Sequence, residues 1–266
     1  MPRGELTPEG YASLALEVAV EAGTLLLQGY RSRPTPTEKA RRDLVTEFDL
    51  RSEELIVARL SSATPELGLV SEERGALRRA DLSWFCDPLD GTTNFVHGHP
   101  FWSVSIGLLE GGAPVAGAVV APVLGLSWIG YRGGPARRSG EICHVSETTE
   151  LEQALVATGF PPDRHTAPDN NLDTFVQVKK VVQGVRRCGS AAIEMCLVAD
   201  GTYDAYWERR LNAWDCAAGA AVLLSAGGML TALDGKPVNL KIGHLIASNG
   251  RVHAALQQLI ARTDIT

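Results

Sequence analysis

The run from Trp84 to Leu109, WFCDPLDGTTNFVHGHPFWSVSIGLL, constrains the fold most. Trp84-Phe85-Cys86 reads as the end of a buried strand, and Val104 to Leu109 reads as another. Between them Asp87-Pro88-Leu89-Asp90-Gly91-Thr92-Thr93 sets two carboxylates three residues apart, followed by a glycine and two hydroxyls. Acids held at a rigid strand end, with small polar residues after them, suit a hard cation and a phosphate. Pro88 fixes the turn, and the Leu89 carbonyl can add an oxygen. D-P-x-D alone is also an ordinary acidic surface turn, since Asp-Pro and Asp-Gly are common turn formers. The apolar strands on either side argue against a solvent loop. The spacing is wrong for a DxD nucleophile, and an EF-hand loop needs more acids at alternate positions.

The 266 residues can bury one large core or two fused halves, and 45% hydrophobic with 21% charged residues is globular composition, not disorder. A net charge of -6 without a long basic run does not favour nucleic acid, and an acidic chain that handles phosphate needs cations to invert the local field. Five cysteines, Cys86, Cys143, Cys188, Cys196 and Cys216, form no CxxC pattern, which argues against a disulfide framework or a zinc site and for a reducing compartment. The N-terminus lacks an apolar signal region and no run reaches about 18 uninterrupted apolar residues. A cytoplasmic protein with no membrane segment is expected.

Thr7-Pro8-Glu9 is a helix start, and Tyr11, Leu14, Val18, Ala22 and Leu25 form its stripe. Thr46 with Asp49 has the shape of a capping box for a second helix buried through Phe48, Leu55, Ile56 and Leu60. Leu67–Val70 reads as a short strand ending at Ser71-Glu72-Glu73. After the acidic turn, Val104–Leu109, Val115–Ala121 and Ser127–Tyr131 form an antiparallel meander. Gly133–Gly140 is the best place to divide the chain, giving an N-terminal α+β half, 1–140, and a C-terminal α/β half, 141–266, within one compact unit. The second half alternates strands at Ala154–Thr158, Val185–Cys188, Asp204–Trp207, Met229–Ala232 and Leu245–Ser248 with helices at Leu172–Val182, Ala191–Ala199, Asp215–Ala226 and Arg251–Arg262. Gly227-Gly228 closes the third of these helices.

Gly91-Thr92-Thr93-Asn94 can form an anion nest or a plain helix cap, and the two are compatible. Glu72 and Glu73 are a solvated surface pair unless the fold carries them to Asp87. Asp215 starts a very apolar helix. A cap explains it, but the small residues that follow imply tight packing, which is costly for an uncompensated charge. Gly189-Ser190-Ala191 is a tight helix start or a surface where a ligand approaches backbone. Glu208 next to Arg209-Arg210 reads as a surface acid paired with arginine. His97 and His99 lie close to the acidic turn but read as structural. No G-x-S-x-G, Walker A or GxGxxG occurs.

DPLDGTTNFVHGHPFWSVSIGL resembles the first signature of the inositol monophosphatase family, and WDCAAGAAVLLSAGG is similar to its second. DLVTEFD, the SEE after a strand, RRCGSAA and DGTYDAYWE resemble further family segments in family order, over about residues 8–262. The resemblance implies an αβαβα sandwich, usually a homodimer, and a magnesium-dependent, lithium-sensitive phosphomonoesterase. It implies Glu72, Asp87, the Leu89 carbonyl, Asp90 and Asp215 as ligands of two magnesium ions, with a third, weaker one. Gly91 and Thr92 would bind phosphate alongside Asp90. Gly189, Ser190, Ala191, Glu208 and Asp215 would face the alcohol. Asp49 and Thr92 would orient the attacking water, which makes Asp49, Glu72 and Thr92 the catalytic set, and Lys39 lies where a family lysine does. Ser71 replaces the usual glycine before the paired glutamates, and Ser225 the usual glutamate before AGG. Arg209-Arg210 and the loop Pro161–Asn170 are individual to this chain.

The resemblance implies a small phosphate ester as partner, with myo-inositol 1-phosphate first and histidinol phosphate next. Thr93 stands where the histidinol-phosphate branch often has lysine. Fructose 1,6-bisphosphate and 3′-phosphoadenosine 5′-phosphate are further options. A regulatory factor associated with the transcription machinery is the alternative class.

Overall fold

The structure, a computed structural model, describes residues 6–32, 34–40 and 43–262. Helix α1 (Pro8–Gly29) starts where Thr7 Oγ1 accepts the Gly10 N–H at 3.1 Å, with proline in the first turn. Its buried stripe is Tyr11, Ala15, Val18, Ala22 and Leu26, so the expected Leu14 and Leu25 flank the stripe instead of forming it. By length and apolarity α1 could cross a bilayer. Here the stripe residues are at most 3% exposed and pack on a sheet, the behaviour of a core helix. A hairpin, β1 (Thr37–Ala40) and β2 (Asp43–Val45), leads to α2 (Glu47–Ala63). The Thr46–Asp49 capping box forms as expected.

The next elements are β3 (Gly68–Ser71), β4 (Gly75–Arg78), β5 (Leu82–Asp90), the short helix α3 (Thr92–Val96), β6 (Ser103–Glu110), β7 (Ala113–Ala121), β8 (Leu126–Tyr131), β9 (Arg137–Arg138) and β10 (Glu141–Ile142). They build an eight-stranded sheet in the order β10-β9-β8-β7-β6-β5-β3-β4, antiparallel except for β3 beside β5. Both faces are covered, so β5 and β6 are apolar or small almost throughout. Trp84, Cys86, Val104, Ile106 and Leu108 face the core under α1 and α2, while Phe85 and Leu109 face the opposite core. The expected meander is present. The stretch expected to divide the chain contributes β9, which pairs with β8 at the edge of this sheet.

The second half runs β11 (Leu155–Thr158), α4 (Leu172–Lys179), β12 (Gly184–Arg186), α5 (Ala191–Ala199), β13 (Ala205–Glu208), α6 (Ala213–Ser225), β14 (Met229–Thr231), β15 (Leu245–Ser248) and α7 (His253–Ala261). Its sheet has the order β12-β11-β13-β15-β14, parallel across the first three strands and antiparallel beyond. Helices α5 and α6 lie between the two sheets, and α4 and α7 pack outside the second. The layers are therefore helix, sheet, helix, sheet, helix, an αβαβα sandwich.

The central layer is close-packed for an identifiable reason. Gly107, Gly117 and Gly130 stand opposite one another on β6, β7 and β8, making a side-chain-free row across the sheet. Helix α6 lies along it: a Cβ on Gly107 would meet Ala218 N at 2.5 Å, and one on Gly117 would meet Ala218 Cα at 2.7 Å. Glycine inside a strand marks such an approach of another backbone. The alanines of α6 supply the other half of the contact.

Candidate active site

The acidic stretch differs from the expected turn. Strand β5 continues through Asp90, which pairs with Ser103 after an irregularity between Asp87 and Asp90. The carboxylates therefore sit on a bulged strand end, and Pro88 is tolerated because a bulge needs no ladder donor there. Gly91 follows with φ of 93°, and α3 begins at Thr92. A side chain on Gly91 would press within 3.1 Å of the carbonyls of Gly189 and Phe101, so glycine meets both the backbone and the space requirement.

Strand ends and helix starts from both halves converge here. Glu72 leaves β3 with its N–H on the Cys86 carbonyl at 3.2 Å, and its carboxyl hydrogen-bonds Asp87. Asp90 reaches across to α5, where its Oδ2 accepts Ser190 Oγ–H at 2.5 Å and the Ala192 N–H at 3.0 Å. The small residues at Gly189-Ser190-Ala191 thus dock a helix start against Asp90. Asp215 lies in the first turn of α6, one oxygen accepting the Asn212 N–H at 2.6 Å. The cap explanation holds, and the same carboxylate also feels Glu72, Asp90 and Glu208.

Burial, then Glu72, Asp90 and Asp215, hold the Asp87 carboxyl well above the usual range. Burial pushes Asp90 up to about 6 against its three hydrogen-bond donors. Asp215 keeps part of its surface open, yet burial and Glu72 still raise it strongly. The neighbours that raise these groups are other carboxylates, so the negative charge is concentrated rather than neutralised. Among the described residues no three His, Cys, Asp or Glu side chains are gathered closely enough to hold a metal ion as they stand. The donor chemistry fits a hard divalent cation all the same: four acids and a backbone carbonyl, all oxygen, on rigid element ends.

Beside the acids, Thr92 Oγ1 lies 3.0 Å from Asp49 Oδ1 and 3.1 Å from the Leu89 carbonyl. Asp49 is 1% exposed, and its other oxygen accepts both the N–H and the hydroxyl of Thr46. Burial raises its pKa and these bonds oppose the rise. A cavity of about 650 Å³ opens next to this pair, lined among others by Gly91, Thr92, Phe160, Arg164, Arg187 and Gly189.

Glu208 is not the arginine-paired surface acid that its neighbours Arg209 and Arg210 suggest. It is 9% exposed at the end of β13, hydrogen-bonded by Tyr206, and burial pushes it up to about 7. Gly159 leaves room for it, since a Cβ there would fall 2.1 Å from Glu208 Oε1. Arg210 instead clamps the loop expected to be individual to this chain, through Asp163 at 2.8 and 3.0 Å and Asp169 at 3.6 Å. His97 and His99 lie in the exposed turn after α3, not on a strand. Ser71 is fully buried, and Ser225 donates to the Tyr131 carbonyl at 3.0 Å. The Lys39 side chain lies outside the described residues.

Several residues here answer to partners that no local sequence pattern marks. Asn94 Nδ2 lies 2.6 Å from the Phe101 carbonyl and 2.8 Å from that of Cys188, tying α3 to the loop before α5. Ser52 Oγ donates to the Pro88 carbonyl at 2.8 Å. Glu53 accepts the N–H groups of Glu73 and Arg74. The available clue was that Ser52 and Glu53 share a helix turn with Asp49 and Ile56, so polar residues interrupt a buried face.

The family model described as "Inositol monophosphatase family" matches residues 8–264. The Inositol-1-monophosphatase of Synechocystis sp. is 38% identical, over 95% of this chain and 89% of its own. The Nus factor SuhB of Pseudomonas aeruginosa is 37% identical, over 92% of this chain and 93% of its own. The solved inositol monophosphatase of Anabaena (Nostoc) sp. superposes with a TM-score of 0.88 at 36% identity, covering 96% of each chain.

Proposed function

The chain belongs to the inositol monophosphatase family and is a phosphoric monoester hydrolase, and from that premise we propose that it hydrolyses a small polyol monophosphate, myo-inositol 1-phosphate first. The family is generally metal-dependent, and here Glu72, Asp87, Asp90, Asp215 and the Leu89 carbonyl would hold two or three magnesium ions. When bound, magnesium supplies the positive charge that a phosphate dianion and a departing alkoxide require. The observation that carries the reading is the convergence of Glu72, Asp87, Asp90 and Asp215, buried or half-buried carboxylates that raise one another's pKa, beside a Thr–Asp pair.

The chain's own groups have separable tasks. Thr92 directs its proton to Asp49 or the Leu89 carbonyl and so offers lone pairs to a water. On attacking phosphorus in line this water gives its proton to Thr92 Oγ1 as Thr92 passes its own to Asp49 Oδ1, whose affinity for a proton burial raises, and the departing alkoxide takes a proton from solvent. The N–H groups of Gly91 and Thr92 bind phosphate oxygens. Asp215, Glu208 and the Gly189–Ala191 backbone hold the alcohol hydroxyls. A covalent phosphoenzyme is not part of this mechanism: Ser190 Oγ–H is committed to Asp90, and burial raises the Cys86, Cys196 and Cys216 thiols far from thiolate character.

The division of labour is a metal-bearing half, 1–140, and a half, 141–266, that brings Asp215 and the alcohol pocket, within a cytoplasmic homodimer. Histidinol phosphate is the nearest competing substrate, ahead of fructose 1,6-bisphosphate and 3′-phosphoadenosine 5′-phosphate. A phosphate-ester panel with and without magnesium, run beside Asp90→Asn, tests the reading. Equal hydrolysis of every ester by both proteins refutes the mechanism, and turnover of histidinol phosphate alone refutes only the substrate. Because one relative is named a Nus factor, a second role beside the transcription machinery is the alternative. A pull-down that retains no transcription or ribosomal component counts against it.

A further inference from the structure

One turn of α2 touches every segment that carries the acids from the N-terminal half. Asp49 holds Thr92 at the start of α3, Ser52 holds the Pro88 carbonyl in the bulge of β5, and Glu53 holds the turn after β3. All three side chains are at most 1% exposed. Of the three, only Asp49 belongs to the proposed chemistry.

Glu53 has the most specific geometry. Its Oε1 accepts the Glu73 N–H at 3.0 Å and the Arg74 N–H at 3.1 Å, so one oxygen fixes two successive peptides directly after Glu72. Its Oε2 stands 3.1 Å from Arg74 Nε, an ion-pair contact without hydrogen-bond geometry. A fully buried carboxylate is costly unless it is well bonded, and apolar packing would serve a helix face at least as well. Here its bonds go to the backbone that presents Glu72, whose N–H is in turn held by the Cys86 carbonyl, one residue before Asp87.

We propose that Glu53 is a positioning residue that sets where Glu72 stands relative to Asp87, and thereby tunes the affinity of the site for a divalent cation. Ser52 does the same from the other side, by fixing the bulge between Asp87 and Leu89. The inference rests on the phosphatase reading for its catalytic consequence, but not for its binding consequence. Outer partners of metal ligands commonly change affinity or activity by about 10–100-fold when removed.

The test compares wild type, Glu53→Ala, Glu53→Gln and Ser52→Ala by calorimetric titration with magnesium, thermal melting, and the magnesium dependence of ester hydrolysis. Glu53→Ala is expected to weaken magnesium binding about tenfold or more and to shift the magnesium activation midpoint upward by the same factor. Glu53→Gln keeps an acceptor for both N–H groups and is expected to recover to within about threefold of wild type. Ser52→Ala should show a smaller shift in the same direction. Should Glu53→Ala not fold, Glu53→Asp takes its place: the shortened acid draws back from the Glu73 and Arg74 N–H groups, so weakened magnesium binding supports the proposal and wild-type affinity overturns it. A folded Glu53→Ala with a lowered melting point but wild-type magnesium affinity overturns the proposal and leaves Glu53 a stability residue. If wild type binds magnesium and hydrolyses no ester, the phosphatase reading falls while the titration still judges Glu53.

Discussion

Adding one methyl group at Gly107 tests how the fold places Asp215. The glycine lies on β6 under α6, opposite Gly117, and a Cβ there would stand 2.5 Å from Ala218 N and 2.6 Å from both Ala217 C and Cβ. Ordinary contact begins at 3.4 Å, so Gly107→Ala is too close by about 0.8 Å to two backbone atoms that no rotamer change can relieve. Overpacking of this kind costs about 1–3 kcal/mol, and at about 2–4 °C per kcal/mol in a chain of this size the melting point should fall by about 3–10 °C. The same displacement moves the first turn of α6, and a misplacement near 1 Å can cost about 10²-fold in rate. Differential scanning calorimetry with steady-state hydrolysis reads both effects, and kcat/KM should fall together with magnesium affinity. Gly10→Ala is the control: in the first turns of α1 its nearest contact is an ordinary 3.4 Å to Leu6, and it should be neutral or stabilising by up to about 1 kcal/mol. If Gly107→Ala melts within a degree of wild type and keeps full kcat/KM, the glycine row does not seat Asp215.

The remaining predictions concern buried charge. Asp87→Asn removes a group whose neutral form the fold favours, so in EDTA it should melt above wild type, and the gap should widen as pH rises above the ordinary carboxylate value of 3.8. In saturating magnesium wild type should gain more than the variant, and the variant should lose most of its activity. A variant that melts lower than wild type in EDTA at pH 8 refutes the repulsion. His253 is 3% exposed and lies between Thr231 Oγ1 at 2.9 Å and Ser248 Oγ at 2.8 Å, with burial lowering its pKa from 6.5. The folded state therefore binds fewer protons than the unfolded chain just below pH 6.5, and stability should fall as pH drops through that window. His253→Gln should flatten that part of the melting-point curve, and an unchanged slope refutes the assignment.

How much of this was legible before folding depended on periodicity and chemistry. The capped starts of α1 and α2, the β6–β8 meander and the span of α5 carried strong local signals, because two-sided burial writes apolar runs and helix starts need particular side chains. The β1–β2 hairpin and β4 carried none: they are short, and β4 is polar or exposed along its length, so no apolar pattern marks them. The acidic stretch was legible as chemistry and misread as local structure. A proline between two acids says turn, but neighbouring strands on both sides impose a bulged strand instead.

The unread part of the site has a common cause. Asn94 bonds a carbonyl 94 residues away, Asp90 bonds a helix start 100 and 102 residues away, and Glu53 bonds peptides 20 and 21 residues away. Side chains of this kind answer to partners that only the assembled layers supply, so no window along the chain reveals them. Glu208 shows the same limit in reverse. Two arginines follow it directly, and at surface spacing they promise an ion pair. The fold buries the acid with Tyr206 instead and sends Arg210 to the loop at Asp163. A buried carboxylate whose sequence neighbours Arg209 and Arg210 do not pair with it, and which only the more distant Arg187 helps, is costly to stability, as are Asp87, Asp90 and Asp215. The rigid devices around them, the glycine row under α6 and the polar turn of α2, are what keep such a cluster from relaxing apart. It follows that substitutions which relieve the charge and substitutions which loosen these supports should both lower activity, while moving stability in opposite directions.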